Sequence, residues 1–294
     1  MHSYSDIDIS PYLTMNIGGK VSELIEAESE IDLKHIIKNV ISFERPVIVI
    51  GGGSNVIFRD GLINATIILN RFEGEIFIKD GYIHCQSSVS LKKFLLFCSS
   101  NSIKGFECLS GIPGTIGGAL CGNAGAYGHY IGEFVEDMEV FDRRKKSFVT
   151  IKREQAEFDY RESIFKKTGN IIISARFNIP GRGYEKDILK EMKCIIEERK
   201  RKLPPMHTKC SGSFFKNVKV PGKERRVAAA YYIDKAGCKG MKVGDMKVSE
   251  KHANFIVNIG NGCFDDVIKL SEIVKKNVFE DSGIRLSEEV RFLP

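Results

Sequence analysis

The strongest constraint on this chain is glycine placed where glycine destabilises. The stretch Gly111-Ile112-Pro113-Gly114-Thr115-Ile116-Gly117-Gly118 is followed closely by Gly122-Asn123-Ala124-Gly125-Ala126-Tyr127-Gly128. A glycine inside an element costs roughly 1 kcal/mol relative to alanine. So dense a cluster is tolerated where backbone must lie against something flat or bulky, and a ring system with a pyrophosphate tail fits that need. The alternative is a disordered glycine-rich loop. Against it, Ile112, Ile116, Ala119, Leu120 and Tyr127 are interleaved, and disordered linkers lack such apolar content.

A second glycine cluster lies upstream. Pro46 opens the apolar run Val47-Ile48-Val49-Ile50, which reads as a buried strand and runs into Gly51-Gly52-Gly53-Ser54-Asn55. Backbone N–H groups in such a loop can cradle a phosphate, and a plain tight turn is the competing reading. The loop is not the G-x-G-x-x-G dinucleotide fingerprint, because Val56 stands in place of the last glycine. No Gly-Lys-Ser/Thr follows, so it is not a P-loop either.

The elements around these loops alternate between strand and helix periods. Strands are predicted at Val21–Ala27, Ala65–Leu69, Val135–Asp142, Phe148–Lys152 and Ile171–Ile179, and helices at Ile31–Asn39 and Leu91–Asn101. Asp80-Gly81 between Ile76–Ile78 and Tyr82–Gln86 predicts a hairpin. Pro180-Gly181-Arg182-Gly183 reads as a boundary. Beyond it come a long amphipathic helix from Lys186 to Lys202, a helix at Val227–Ala236, a strand at His252–Asn258, a helix at Asp265–Ser282 closed by Gly283, and a last strand at Ile284–Leu293. The expected segmentation is 1–72, 73–182 and 183–294, with the final strand returning toward the first glycine cluster.

Bulk properties exclude several classes. The chain has 294 residues, 43% hydrophobic, which bounds it to two or three soluble domains. No apolar run reaches the ~18 residues of a membrane span. Residues 1–10 are polar and carry Asp6 and Asp8, unlike a signal peptide. None of the eight cysteines forms Cys-x-x-Cys, so no zinc or dithiol site is expected, no metal is assigned, and a reducing cytoplasm is the expected compartment. The net charge of +6 suits anionic small molecules. The basic runs Arg143–Lys146 and Arg199–Lys202 read as a solvated hairpin turn and a helix end, not as nucleic-acid contacts.

Three further constellations carry chemistry. Tyr160-Arg161-Glu162-Ser163 offers a guanidinium able to hold a carboxylate bidentately. Gly212-Ser213-Phe214-Phe215-Lys216-Asn217 sets a hydroxyl, an ammonium and an amide beside two anchoring aromatics. Glu288-Glu289 lies near the C-terminus. His252-Ala253-Asn254-Phe255 reads as strand packing with its polar residues outward.

In this order the segments resemble the UDP-N-acetylenolpyruvoylglucosamine reductase (MurB) family, flavoenzymes of peptidoglycan precursor synthesis. The match also includes Ile17-Gly18-Gly19, Ala236 to Gly240 and Glu289-Val290-Arg291, and it spans nearly the whole chain. The resemblance implies an α+β fold: a two-subdomain FAD-binding unit of the p-cresol methylhydroxylase/vanillyl-alcohol oxidase type, then a C-terminal α+β substrate domain. That type binds FAD without the Rossmann fingerprint.

The resemblance implies that FAD is lined by Gly51, Gly52, Gly53, Ser54, Asn55, Gly111, Ile112, Pro113, Gly114, Thr115, Gly117 and Gly118, with Asn123, Ala124, Gly125 and Ala126 nearby. NADPH would be the reductant and a UDP-sugar enolpyruvyl ether the substrate. Arg161 would stabilise the enolate-like charge, Ser213 would donate the proton, and Glu289 would be the acidic partner. Tyr160, Lys216, Asn217 and Arg225 would contact substrate. The short passage from Ile179 through Pro180 to the helix matches the type II form, which lacks the substrate-covering loop. Lys209 and Val218 stand where the family has proline, Cys121 replaces an apolar residue, and Ser287 stands where an acidic one is common. A monomer is expected. Two other functions remain open: a flavin oxidase of the same superfamily acting on an alcohol or phenol, and a non-enzymatic phosphate- or nucleic-acid-binding protein, which would purify colourless.

Overall fold

The structure, a computed structural model, describes residues 2–40 and 45–294. In chain order its principal elements are β1 (His2–Asp8), β2 (Lys20–Glu26), α1 (Glu30–Val40), β3 (Val47–Ile50), β4 (Val56–Phe58), β5 (Leu62–Leu69), β6 (Ile76–Lys79), β7 (Tyr82–Gln86), α2 (Leu91–Ser100) and β8 (Ile103–Lys104). Then follow α3 (Ile116–Cys121), β9 (Gly125–Ala126), β10 (His129–Tyr130), β11 (Val135–Asp142), β12 (Ser147–Lys152), α4 (Ile164–Thr168), β13 (Ile171–Phe177), β14 (Gly181–Arg182) and α5 (Glu185–Lys202). The remainder holds α6 (Ala229–Lys235), β15 (Lys242–Val243), β16 (Met246–Val248), β17 (Ile256–Asn258), α7 (Phe264–Ser282) and β18 (Arg291–Leu293). The mixture is α+β, as expected.

The chain divides into two compact units: residues 1–5, 23–52 and 64–199 in the first, and 6–22, 53–63 and 200–294 in the second. This division differs from the three consecutive segments read from the sequence. The physical reason is visible in α5. Its apolar face carries Ile188 and Met192 into the core of the first unit, with Phe94, Phe106 and Phe177. Pro180–Gly183 is therefore not a boundary between the units. It contains β14, which pairs with β8.

In the first unit, a five-stranded antiparallel sheet has the order β12-β11-β13-β7-β6. Its β6–β7 turn uses Asp80 at φ 51° and Gly81 at φ 81°, the pair of positive φ values that a tight two-residue hairpin demands. α1 buries Leu33, Ile36, Ile37 and Val40. They share a second core with Val47 and Ile68 and with Phe141, Ile171 and Ile173 of the five-stranded sheet. β3 runs parallel to β5, Ile50 opposite Leu69, and so delivers the chain into Gly51.

The second unit is built around one core. It joins Phe214 and Phe215 to α6 through Ile233, to α7 through Val267, Leu270, Val274 and Val278, and to the three-stranded sheet through Met246, Val248 and Ile256. Gly283 at φ 69° closes α7, as its position after the helical pattern predicts.

Two predicted strands shorten. Of His252–Asn258 only β17 is strand, because residues 252–255 turn: Phe255 N–H bonds back to the His252 carbonyl at 3.0 Å. Of Ile284–Leu293 only β18 is strand, and it pairs in parallel with β4, Arg291 opposite Val56. The N-terminal strand β1 has no apolar face to announce it. The basic turn Arg143–Lys146 does join β11 to β12, but Arg143 is half-buried rather than fully solvated. Its guanidinium bonds the Val47 carbonyl at 2.7 Å and the Gly169 carbonyl at 2.5 Å, and burial lowers its pKa.

Candidate active site

In the first unit the two glycine clusters meet each other. A Cβ on Gly51 would stand 2.2 Å from Thr115 Oγ1, and one on Gly52 would stand 3.0 Å from the Gly114 Cα. Side chains are excluded there because Gly51 packs on the Thr115 side chain and Gly52 on the Gly114 backbone, an intramolecular cause that the sequence alone did not separate from ligand contact. Thr115 then caps α3, its hydroxyl accepting from Gly118 N at 3.4 Å. Further along, β9 and β10 form a tiny hairpin turned by Tyr127 at φ 54° and Gly128 at φ 90°. A Cβ on Gly125 would lie 2.2 Å from the His129 carbonyl oxygen.

Asn123 is buried, and both ends of its amide are engaged. Nδ2 donates to the Asp159 carbonyl at 2.8 Å, and Oδ1 accepts from Gly132 N at 3.1 Å. It fastens the glycine segment to the loop that carries Arg161. That loop is a two-residue turn, closed by reciprocal 3.1 Å bonds between Asp159 and Glu162. Arg161 sits at φ 56°, Nη2 donates to the Gly125 carbonyl at 2.8 Å, and the guanidinium lies 5.5 Å from the centre of the Tyr160 ring. Lys166 Nζ holds the Arg161 carbonyl. Ser163 is buried and gives its hydroxyl to the Cys121 carbonyl at 2.7 Å, so it is a fastener rather than a reagent.

The second unit holds Ser213, Lys216, Asn217, Arg225 and Glu289. Phe214 and Phe215 are each 1% exposed, with ring centroids 5.0 Å apart. They anchor the segment that presents Ser213, which is half-buried. Backbone bonds clamp it on two sides. Phe214 N donates to the Asn254 carbonyl at 2.8 Å, while Glu289 N donates to the Phe214 carbonyl at 2.8 Å. Lys216 N reaches the Ser287 carbonyl, also at 2.8 Å. The pairing therefore sets Glu289 against the residue that follows Ser213. Asn55, last of the first glycine cluster, accepts from Arg291 N at 3.0 Å and donates to the Glu289 carbonyl at 3.4 Å.

The paired glutamates have separate fates. Glu288 forms a 2.8 Å ion pair with Lys275 of α7, while Glu289, also half-buried, is bound through its backbone N–H to the Phe214 carbonyl. Asn217 Oδ1 accepts from Ala229 N at 3.2 Å, at the start of α6, so part of its amide is structural. Arg225 is exposed in the loop between the paired Val218 and Val227. Burial raises the Cys210 thiol pKa against an opposing Gly212 N–H bond, a shift away from the reactive thiolate.

Sequence reasoning missed Asn254. It is 3% exposed and faces inward, not outward: Nδ2 donates to the Phe215 carbonyl at 2.8 Å and Oδ1 accepts from Phe215 N at 2.9 Å. Reading 252–255 as a strand placed it on the wrong face. Its neighbour His252 is half-buried, and burial, then the Lys239 charge, lower its pKa. Its Nδ1 accepts from Asn254 N at 3.3 Å.

The residues present fit a flat ligand at the first unit's glycine loop. Gly111, Pro113 and Gly118 are exposed, and a Cβ on Gly118 would meet only Thr115 Oγ1, at 3.7 Å. A bare backbone ledge results, which an aromatic ring or a diphosphate can approach closely.

Comparison with known proteins agrees with this arrangement. Residues 21–148, spanning both glycine clusters, match the FAD binding domain family, and residues 204–293 match the C-terminal domain of UDP-N-acetylenolpyruvoylglucosamine reductase. The reductase of Thermotoga petrophila is 35% identical over 282 residues, covering 96% of this chain and 95% of its own. That of Pseudothermotoga lettingae is 39% identical over 248 residues, 82% of each chain. The crystal structure of the Thermus caldophilus reductase (MurB) superposes with a TM-score of 0.77 at 29% identity, over 100% of this chain and 98% of that one. With the family's two domains matched in order and relatives alike over almost their full length, the chain belongs to the UDP-N-acetylenolpyruvoylglucosamine reductase family.

Proposed function

We propose that this chain reduces the enolpyruvyl ether of UDP-N-acetylglucosamine to UDP-N-acetylmuramate, with NADPH as reductant and FAD as carrier. The supporting observation is the clamp on 213–217, a backbone rung that pairs Glu289 with Phe214, the residue after Ser213, and is fixed by two buried phenylalanines. FAD would be held by Gly51 to Asn55, by Gly111 to Gly118 and by Asn123 to Ala126. When bound, it supplies hydride to the terminal vinyl carbon.

The chain's own residues then manage charge and proton. Negative charge develops on the substrate carboxylate as the double bond is reduced. Placing a fixed cation where charge develops is usually the largest catalytic term. Arg161 has that role: its guanidinium stays ionised and matches both carboxylate oxygens. Its backbone is fixed by the reciprocal Asp159–Glu162 bonds. Ser213 Oγ delivers the proton to the carbon beside the carboxylate. A serine is a weak acid, so it works only when oriented beside a strongly basic carbanion, and the Phe214–Phe215 anchor fixes its position. Glu289 hydrogen-bonds the reacting end and orients the hydroxyl. Lys216 and Arg225 add positive charge for the diphosphate, with Tyr160 and Asn217 as further contacts.

The reading includes a monomer in the cytoplasm, where NADPH and UDP-sugars are found. All eight cysteines are free thiols, which is compatible with a reducing compartment. Among the described residues no helix is long and apolar enough to cross a membrane. The test is direct. The purified protein should show flavin absorbance, and NADPH should be oxidised beyond the one equivalent that reduces the flavin only when the UDP-enolpyruvyl substrate is added. Rapid oxygen consumption with a simple alcohol or phenol, and none of this NADPH chemistry, would replace the reading with the oxidase alternative.

A further inference from the structure

The basic run at the end of α5 is not a uniform solvated helix end. Arg199 lies on the same face as Met192 and Ile196, at helical spacing. Its side chain is laid along the glycine loop: a Cβ on Gly111 would stand 3.1 Å from both Arg199 Cδ and Nε, and 3.7 Å from Ile196. Its Nε is buried and has no hydrogen-bond partner among the described residues. A buried guanidinium donor without an acceptor costs free energy until something supplies one.

The surroundings supply like charge instead. Burial depresses the Arg199 pKa, and the Arg161 charge adds to that effect while Tyr127 opposes it. The nearby Tyr127 hydroxyl is directed to Glu198 Oε2 at 3.1 Å. Two guanidiniums thus share one corner of the first unit. One is held through the Gly125 carbonyl and the other is pressed on Gly111.

We infer that Arg199 is the second guanidinium of a carboxylate-binding pair formed with Arg161. An arginine edge offers parallel N–H donors that match a carboxylate, and a carboxylate between the two would satisfy the buried Nε and offset the like-charge repulsion together. Resting on the function proposed above, the occupant is the enolpyruvyl carboxylate. Arg199 then divides with Arg161 the charge that develops during reduction.

The test uses the full chain with its bound flavin. Acetate and pyruvate are titrated at constant ionic strength, with acetamide as the neutral control, while melting temperature and the flavin absorption band are followed. The wild type should show saturable carboxylate binding that acetamide does not reproduce. Arg199→Gln should weaken that binding about tenfold or more, the scale of one charge-assisted hydrogen bond. Arg199→Lys, which keeps the charge but loses the planar fork, should fall between the two. Carboxylate affinity within twofold of wild type in both variants, or no saturable binding in the wild type, would overturn the inference. Carboxylate binding that depends on Arg199 in a protein that does not reduce the UDP-enolpyruvyl substrate would instead defeat the proposed function and leave the anion pair standing.

Discussion

Asn254→Ala should be among the most damaging single changes in the second unit, although the residue touches no substrate in the mechanism above. Asn254 makes both side-chain bonds to Phe215, at 2.8 and 2.9 Å, and Phe215 is 1% exposed. Truncation leaves one buried N–H and one buried carbonyl without partners, at roughly 1–3 kcal/mol each. A water entering the vacated polar space would recover part of this, so a loss of about 2–4 kcal/mol is expected. At roughly 2–4 °C per kcal/mol for a protein of this size, the melting temperature should fall by about 4–16 °C. The chain contains no tryptophan, so far-ultraviolet circular dichroism is the suitable probe. Turnover should fall as well, because Ser213 and Glu289 are positioned through the Phe214–Phe215 segment. Asn254→Asp makes the cause specific. It keeps an acceptor for Phe215 N–H but sets a carboxylate against the Phe215 carbonyl, so it should be no better than alanine near neutral pH. An alanine variant melting within 1 °C of wild type would show that Asn254 does not hold the segment.

Other consequences are sharp enough to check. Because burial lowers the His252 pKa below its unfolded value, the unfolded chain binds the proton more readily. The contribution of this residue to stability is present above the unfolded pKa and lost as pH falls through the folded one. His252→Asn, which keeps an acceptor for Asn254 N–H, should therefore flatten the decline in melting temperature between neutral pH and about pH 5, while an unchanged slope would assign that decline elsewhere. Gly125→Ala drives a methyl into the His129 carbonyl, 2.2 Å away in the present backbone. It should force β9 and β10 apart and displace the carbonyl that holds Arg161. Flavin content and turnover should both fall, and retention of both would mean that this hairpin does not set the Arg161 position.

Much of the fold was legible because local signals and tertiary need coincide. Asp80-Gly81 could hardly lie anywhere but a two-residue turn, and Gly283 stops α7 for the same backbone reason. Where the two part, the sequence misleads. The helix from Glu185 to Lys202 follows a Pro-Gly segment and looks like the start of a new domain, yet Ile188 and Met192 pack backwards into the preceding core. Residues 252–255 combine apolar and polar types as a strand would, but Asn254 spends its amide inside a turn.

The two basic runs hide one half-buried arginine each, since a charge run does not say which member faces inward. For Arg199 the signal was available in its spacing from Met192 and Ile196. For Arg143, bonded to Val47, nothing local announced it. The glycine clusters marked the right place for a reason only partly right, as Gly51 and Gly52 are bare chiefly to let the two loops touch. The separation of Glu288 from Glu289 rests on Lys275 of α7, which no local pattern reveals.

The most direct measurement follows the bound flavin of Ser213→Ala through each half-reaction in a stopped-flow spectrometer. NADPH should bleach the flavin at close to the wild-type rate, and reoxidation by the UDP-enolpyruvyl substrate should slow by about 10²–10⁴-fold, the usual weight of a positioned proton donor. Reoxidation at an undiminished rate would mean that the Ser213 hydroxyl is not the source of the proton.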